Sequence, residues 1–381
     1  MITIETCVMS RIAGALADSR YVHDGCICRV RATPSRGAAP SVYIAGPCTY
    51  WRRPSGLFDP LLELSLMELR DCEELLKVLD SCLSRIKWRL RPSARRRLET
   101  DILALCTRLR PVVLVDYDGI MPKLQENLSA LLFLAQKESN DLQYLRIMIL
   151  DDMAYIIHVK ELAEHVLSSL GSEQQLTLLD LEQYPMKILS PREENEVASD
   201  FVLIQKLLSS TFPVEVEKGH MPSVLPSLGK PGVETSHLNA VGLANLNGHS
   251  APQPADVIDL SSFLQDVRVT LPSLNGWLLG YPVTYLFSKE HAEKASYNLS
   301  TKSLRIFKIF ICRKTSGSQL YENELMSFTV PCDMSQRLDK EPWIEAFLVR
   351  LSEKLRRCEQ IWASMRLEME VKESHQQSVV L

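Results

Sequence analysis

Apolar and polar positions fall in blocks along the chain, and the period of the blocks changes. From Phe58 onward Leu61, Leu62, Leu64, Met67, Leu69, Leu75, Leu76, Leu79, Leu83 and Ile86 recur at helical spacing with Asp and Glu between them. That spacing gathers them on one stripe of a helix. Pro92 is expected to end it, because proline brings no amide hydrogen. Leu98, Ile102, Leu105 and Leu109 mark a second helix from about Ser93, a suitable N-cap. The run Pro111-Val-Val-Leu-Val-Asp116 shows no polar alternation, the pattern of a strand buried on both faces. Asp118-Gly119 reads as a turn, and Pro122 suits the first turn of a helix carried by Leu124, Leu128, Leu131, Leu132 and Leu134. Leu145–Leu150 reads as a second strand closed by Asp151-Asp152; residues 154–159 extend it or form a further short strand. A helix over 160–170 stopped by Gly171, a strand over 176–181 and a helix over 192–210 complete this half.

Such alternation predicts parallel βαβ units. Residues 219–257 break it with five Pro, five Gly and no aromatic residue, which marks a disordered insert. Beyond it the apolar stretches 277–287, 304–312 and 325–330 have short polar connections and predict an antiparallel meander. From Pro342, the positions Ile344, Phe347, Leu348, Leu351, Leu355, Cys358, Trp362, Met365 and Met369 predict one long helix to about residue 371. The expected fold is therefore α/β: a mixed sheet with parallel βαβ units first and an antiparallel meander later, and helices on both faces. One domain spans 58–371, interrupted by the insert. Residues 372–381 form a flexible tail, and 1–57 a poorly ordered extension with seven Arg, no Lys, four Cys and four Pro.

Composition narrows the classes. Lys plus Arg number 43 and Asp plus Glu 47, a net charge of −4, so no global field draws the chain to nucleic acid or anionic membrane. No apolar run reaches the ~18 residues of a membrane span, and the N-terminus has no signal-peptide pattern. Ten cysteines include no C-x-x-C pair, which leaves no zinc spacing and suggests free thiols in the cytosol or nucleus.

Val112-Val-Leu-Val-Asp-Tyr-Asp-Gly119 resembles the first motif of haloacid-dehalogenase-type phosphatases. The resemblance implies Asp116 as nucleophile, Asp118 as general acid and Asp151 with Asp152 as ligands of Mg²⁺. The chain departs from the pattern: Ile120 stands where Thr or Val follows the Gly, and Lys123 and Ser129 share one helix instead of lying on separate strands. Plain turn chemistry explains the same acids. A second candidate is the basic run Arg85–Arg97, ending in Arg95, Arg96 and Arg97: a nucleic-acid or import patch, or a solvated helix junction between acidic flanks. His158 and His165 lie seven apart near a helix, and no common nucleophile or phosphate-loop motif occurs.

Gly276-Trp-Leu-Leu-Gly-Tyr-Pro-Val-Thr-Tyr285 resembles an uncharacterised animal protein family whose human member is named only as an open reading frame on chromosome one. The resemblance implies no activity. Trp277, Gly280, Tyr281 and Pro282 read as a structural motif, an irregular and tightly packed backbone. The expectation is a non-catalytic intracellular protein acting on a protein partner, without cofactor, membrane or nucleic acid. The alternative is a Mg²⁺-dependent phosphatase-like hydrolase.

Overall fold

The computed structural model describes residues 67–171, 176–190, 195–214, 257–317, 320–334 and 342–373, with the backbone of three strands nearer the N-terminus. In chain order come β1 (Ser19–His23), β2 (Cys26–Val30), β3 (Ser41–Ala45), α1 (Leu69–Ile86), α2 (Pro92–Cys106), β4 (Val112–Leu114) and α3 (Lys123–Glu138). Next are β5 (Leu145–Leu150), β6 (Met153–His158), α4 (Val159–Leu170), β7 (Thr177–Asp180), β8 (Lys187–Ile188) and α5 (Glu196–Thr211). Then follow β9 (Val257–Asp259), α6 (Leu271–Leu278), β10 (Val283–Leu286), α7 (Ala292–Ser300), β11 (Leu304–Arg313), β12 (Tyr321–Pro331), α8 (Pro342–Arg357) and β13 (Trp362–Lys372).

The first helix opens with a reciprocal cap between Glu68 and Asp71 and buries Cys72, Leu75, Leu79, Cys82 and Leu83. It ends at Lys87, whose φ of 58° is left-handed. Pro92 therefore opens α2 instead of ending α1; its missing N–H is harmless at a first helical position.

The α/β class with mixed and antiparallel sheets is as expected, with strands divided among separate sheets instead of one. In the central sheet, ordered β4-β6-β5-β9, β4 and β5 both run antiparallel to β6, and β9 runs parallel to β5. Asp151 and Asp152 are all that connect β5 to β6, far too little chain for a parallel crossover. The parallel pairings are β5 with β9 and β7 with β10. Both faces of this sheet are covered. Val113, Ile147 and Ile156 face the core shared with α1, α2 and α3, while Val112, Met148, Tyr155 and Ile157 face α4, α5 and α6.

The second large sheet is antiparallel, ordered β12-β11-β13-β3. It differs from the expected meander in two ways. Trp277 lies on α6, and the following strand β10 joins β7 and β8. The long C-terminal helix stops at Arg357, and Trp362–Lys372 is a strand paired along the length of β11. The N-terminal stretch supplies β3, which pairs with β13 from Ser41 opposite Glu368 to Ala45 opposite Ser364. The expected insert at 219–257 lies outside the described residues except Val257, which begins β9. The expected tail lies outside them beyond Glu373.

Candidate functional site

Two helices end in the same way on one side of the molecule. At the end of α6, Gly280 adopts φ +76°, its N–H donates to Trp277 O, and the Tyr281 N–H reaches back to Gly276 O, each at 2.9 Å. At the end of α2, Arg108 adopts φ 56°, its N–H donates to Leu105 O, and the Leu109 N–H reaches Ala104 O, again at 2.9 Å. This left-handed stop spends the last helical carbonyls and turns the chain sharply. Pro282 and Pro111 then prevent either helix from resuming. The Gly276–Pro282 run is thus a helix stop, and its glycine at 280 is there for its backbone: a Cβ at that position would meet nothing within 4 Å.

Between the two stops lies a cavity of about 110 Å³. The stops supply Leu109, Arg110, Gly280 and Tyr281; α4 supplies His165 and Ser169; α8 supplies Phe347, Arg350 and Lys354. Trp277 forms another part of the wall, stacked on His165 with centroids 5.8 Å apart and edge-on to Phe201.

The polar groups of the wall are under unusual constraint. Arg110 is 2% exposed and donates one terminal N–H to Leu325 O at 2.9 Å. Its Nε–H, like the indole N–H of the buried Trp277, has no acceptor among the described residues. Burial lowers the Arg110 pKa, with Asp101 pulling the other way. Asp101 is itself fully buried; its Oδ2 accepts from Arg97 Nε and Tyr117 OH, both at 3.1 Å, while Oδ1 has no donor among the described residues. Burial raises its pKa against the pull of Arg97 and Arg110. Arg350 is lowered by burial alone, and no carboxylate among the described residues pairs with it. Lys354 reaches Glu161 at 3.1 Å. His165 donates Nε2–H to Trp277 O at 2.9 Å and is brought down to about 4 by burial, so the ring is neutral at pH 7. Buried donors without acceptors are rare in folded proteins.

The sequence candidates lie elsewhere, apart from Trp277, Gly280, Tyr281 and Pro282, which line the cavity. Asp116 is exposed just past β4, at the sheet end that also carries the Asp151-Asp152 turn. Asp118 has turned to Arg91, accepting from its backbone N–H and its Nε, both at 2.5 Å, and the first of these holds its pKa down. Asp151 is left-handed at φ 51° and its N–H donates to Ser261 Oγ. Among the described residues no three His, Cys, Asp or Glu side chains are arranged to hold a metal. The basic run is largely answered by carboxylates: Arg95 by Asp80 and Glu99, Arg97 by Asp101, Arg85 by Glu138. Arg96 stays exposed.

A nucleophile set suggests itself at Ser288, His291 and Glu182. Ser288 Oγ and Glu182 Oε2 lie 2.9 and 2.8 Å from the same His291 Nδ1. A triad needs the two ring nitrogens for two partners, so this trio lacks the geometry of a catalytic relay.

Sequence reasoning passed over Arg110, Arg350 and Lys354. Arg110 carried one signal: a lone cation inside the apolar run Leu109–Val115. The two helical cations look like any solvated arginine or lysine until α8 is packed.

The fold and cavity define an α/β protein with a cleft lined by Arg110, Arg350 and Lys354. The chain belongs to the family described as a domain of unknown function, DUF4504, which it matches over residues 80–381. Comparison with curated proteins and with solved structures yields no match. Among the described residues no helix is long and apolar enough to cross a membrane.

Proposed function

We propose that this protein binds a small ligand in the cavity between the two helix stops and makes no bond to it. The observation that carries the reading is the wall itself, where Arg110, Arg350 and Lys354 are set among Leu109, Trp277, Phe347 and Leu351. Ligand pockets combine a mostly apolar lining with a few such placed polar groups. Catalysis would need a nucleophile with a base in reach. The wall offers Ser169, whose hydroxyl donates to Val166 O, and His165, whose Nε2–H is engaged by a carbonyl. The reading extends to an intracellular role in which occupancy alters contact with a protein partner. Free thiols at all six described cysteines support the intracellular part.

The test is a thermal-shift screen of the full chain against small anions, cations and neutral compounds, repeated on Leu176→Trp, which fills the cavity from a half-buried wall position. Binders should stabilise the native chain and lose that effect in the variant. A set of binders indifferent to Leu176→Trp, or none at all, would sink the proposal.

A further inference from the structure

The charges around the cavity go further, and what they say rests on the cavity being a binding site. Among the described residues its lining includes Arg110, Arg350 and Lys354 and not one Asp or Glu. Lys354 is met by Glu161, which stands off the wall, and Arg110 is drawn electrostatically to Asp101. Arg350 has no such partner among the described residues. Arg350 is half-buried, and a partly desolvated cation without a counter-charge favours an anion beside it, so the element that completes this wall is a negative charge.

The same geometry limits how much negative charge. Phosphate sites take helix N-termini, where free N–H groups and the positive end of the helix dipole converge. Here α2 and α6 both present their C-terminal ends, and those ends oppose an anion. With apolar walls from Leu109, Trp277, Phe347 and Leu351, a dianion would lose more hydration than this site returns. A single charge on a small apolar body fits better, and the cavity is far below the ~300 Å³ of sites for larger molecules.

We infer that the ligand is a small organic monocarboxylate, its carboxylate held on the side of Arg350, Lys354 and Arg110 and its apolar body against Trp277 and Phe347.

Calorimetric titration of the full chain with butyrate and benzoate, beside butyramide, benzamide and phenyl phosphate, tests this. The carboxylates should bind about tenfold or more tightly than their amides, as expected for charge-assisted contacts. They should also bind more tightly than phenyl phosphate and weaken with added salt. Arg350→Gln should remove that preference and Arg350→Lys should restore part of it; circular dichroism and melting of each variant show whether it folds. Amides that bind as well as acids, with binding abolished by Leu176→Trp, would overturn the carboxylate inference and leave the cavity reading standing. Tighter binding of phenyl phosphate would overturn it too. No binding by any probe or by the wider screen would remove both.

Discussion

Gly280 and Arg108 hold the same left-handed backbone at equivalent places, one with no side chain and one with a large side chain. The conformation costs an L-residue about 1–2 kcal/mol through its Cβ. A Cβ at 280 meets no neighbour, so Gly280→Ala isolates that backbone cost. Its unfolding free energy should drop by about 1–2 kcal/mol in urea titration. A neutral result would mean the stop tolerates alanine and that glycine serves another purpose there. Two histidines, the buried His158 and the half-buried His165, make a second prediction. Burial brings His158 and His165 from 6.5 to about 4 in the folded chain. Within that window the unfolded chain binds more protons, so the two histidines lower stability as pH drops from about 6.5 toward 4, and their contribution levels off below it. Urea midpoints across this range should show the fall, and His165→Gln should make it shallower, leaving the part due to His158. An unchanged slope in the variant would assign the acid sensitivity to other groups.

Helix α8 and strand β13 show how an element can be misread. Trp362, Met365 and Met369 keep helical spacing after Cys358, so the local pattern continues the helix. What stops it is β11, whose free edge offers a ladder that residues 362–372 complete. Backbone groups with no other partner in the core must be paired, and that demand outweighs side-chain period. The sheet so formed packs Phe307 against Phe328 and Trp343. Phe307 is 1% exposed, so Phe307→Ala should cost about 3–5 kcal/mol. Ile120→Ala, at a side chain 81% exposed, should change stability by less than about 0.5 kcal/mol. Chemical denaturation of the two variants checks the contrast, and comparable losses would contradict this account of the core.

Across the intact chain, β3 covers the outer edge of β13. An uncovered edge strand is a template for pairing between chains. Removing residues 1–40 should leave thermal unfolding close to that of the full chain, whereas removing 1–45 should lower the midpoint and promote association. Light scattering and calorimetry of the two truncations separate the outcomes. If both behave alike, β3 adds nothing to the edge, and the whole N-terminal stretch is dispensable.

Much of the framework was legible in local pattern. The stripes of α1 and α3, the unbroken apolar run of β4 and the apolar residues 147–150 of β5 announced their elements, because burial on one side or on both leaves a period in the residues themselves. The turns at Asp118-Gly119 and Asp151-Asp152 were legible for the same reason: short polar side chains tolerate left-handed backbone. Strand partners were not, since antiparallel and parallel strands with both faces buried read alike. Nor was the cavity. Arg110 comes from a loop, His165 from α4 and Arg350 from α8, far apart in the chain. An arginine becomes an unanswered charge only when packing removes its water and supplies no carboxylate. That balance is a property of neighbours, which no local period records.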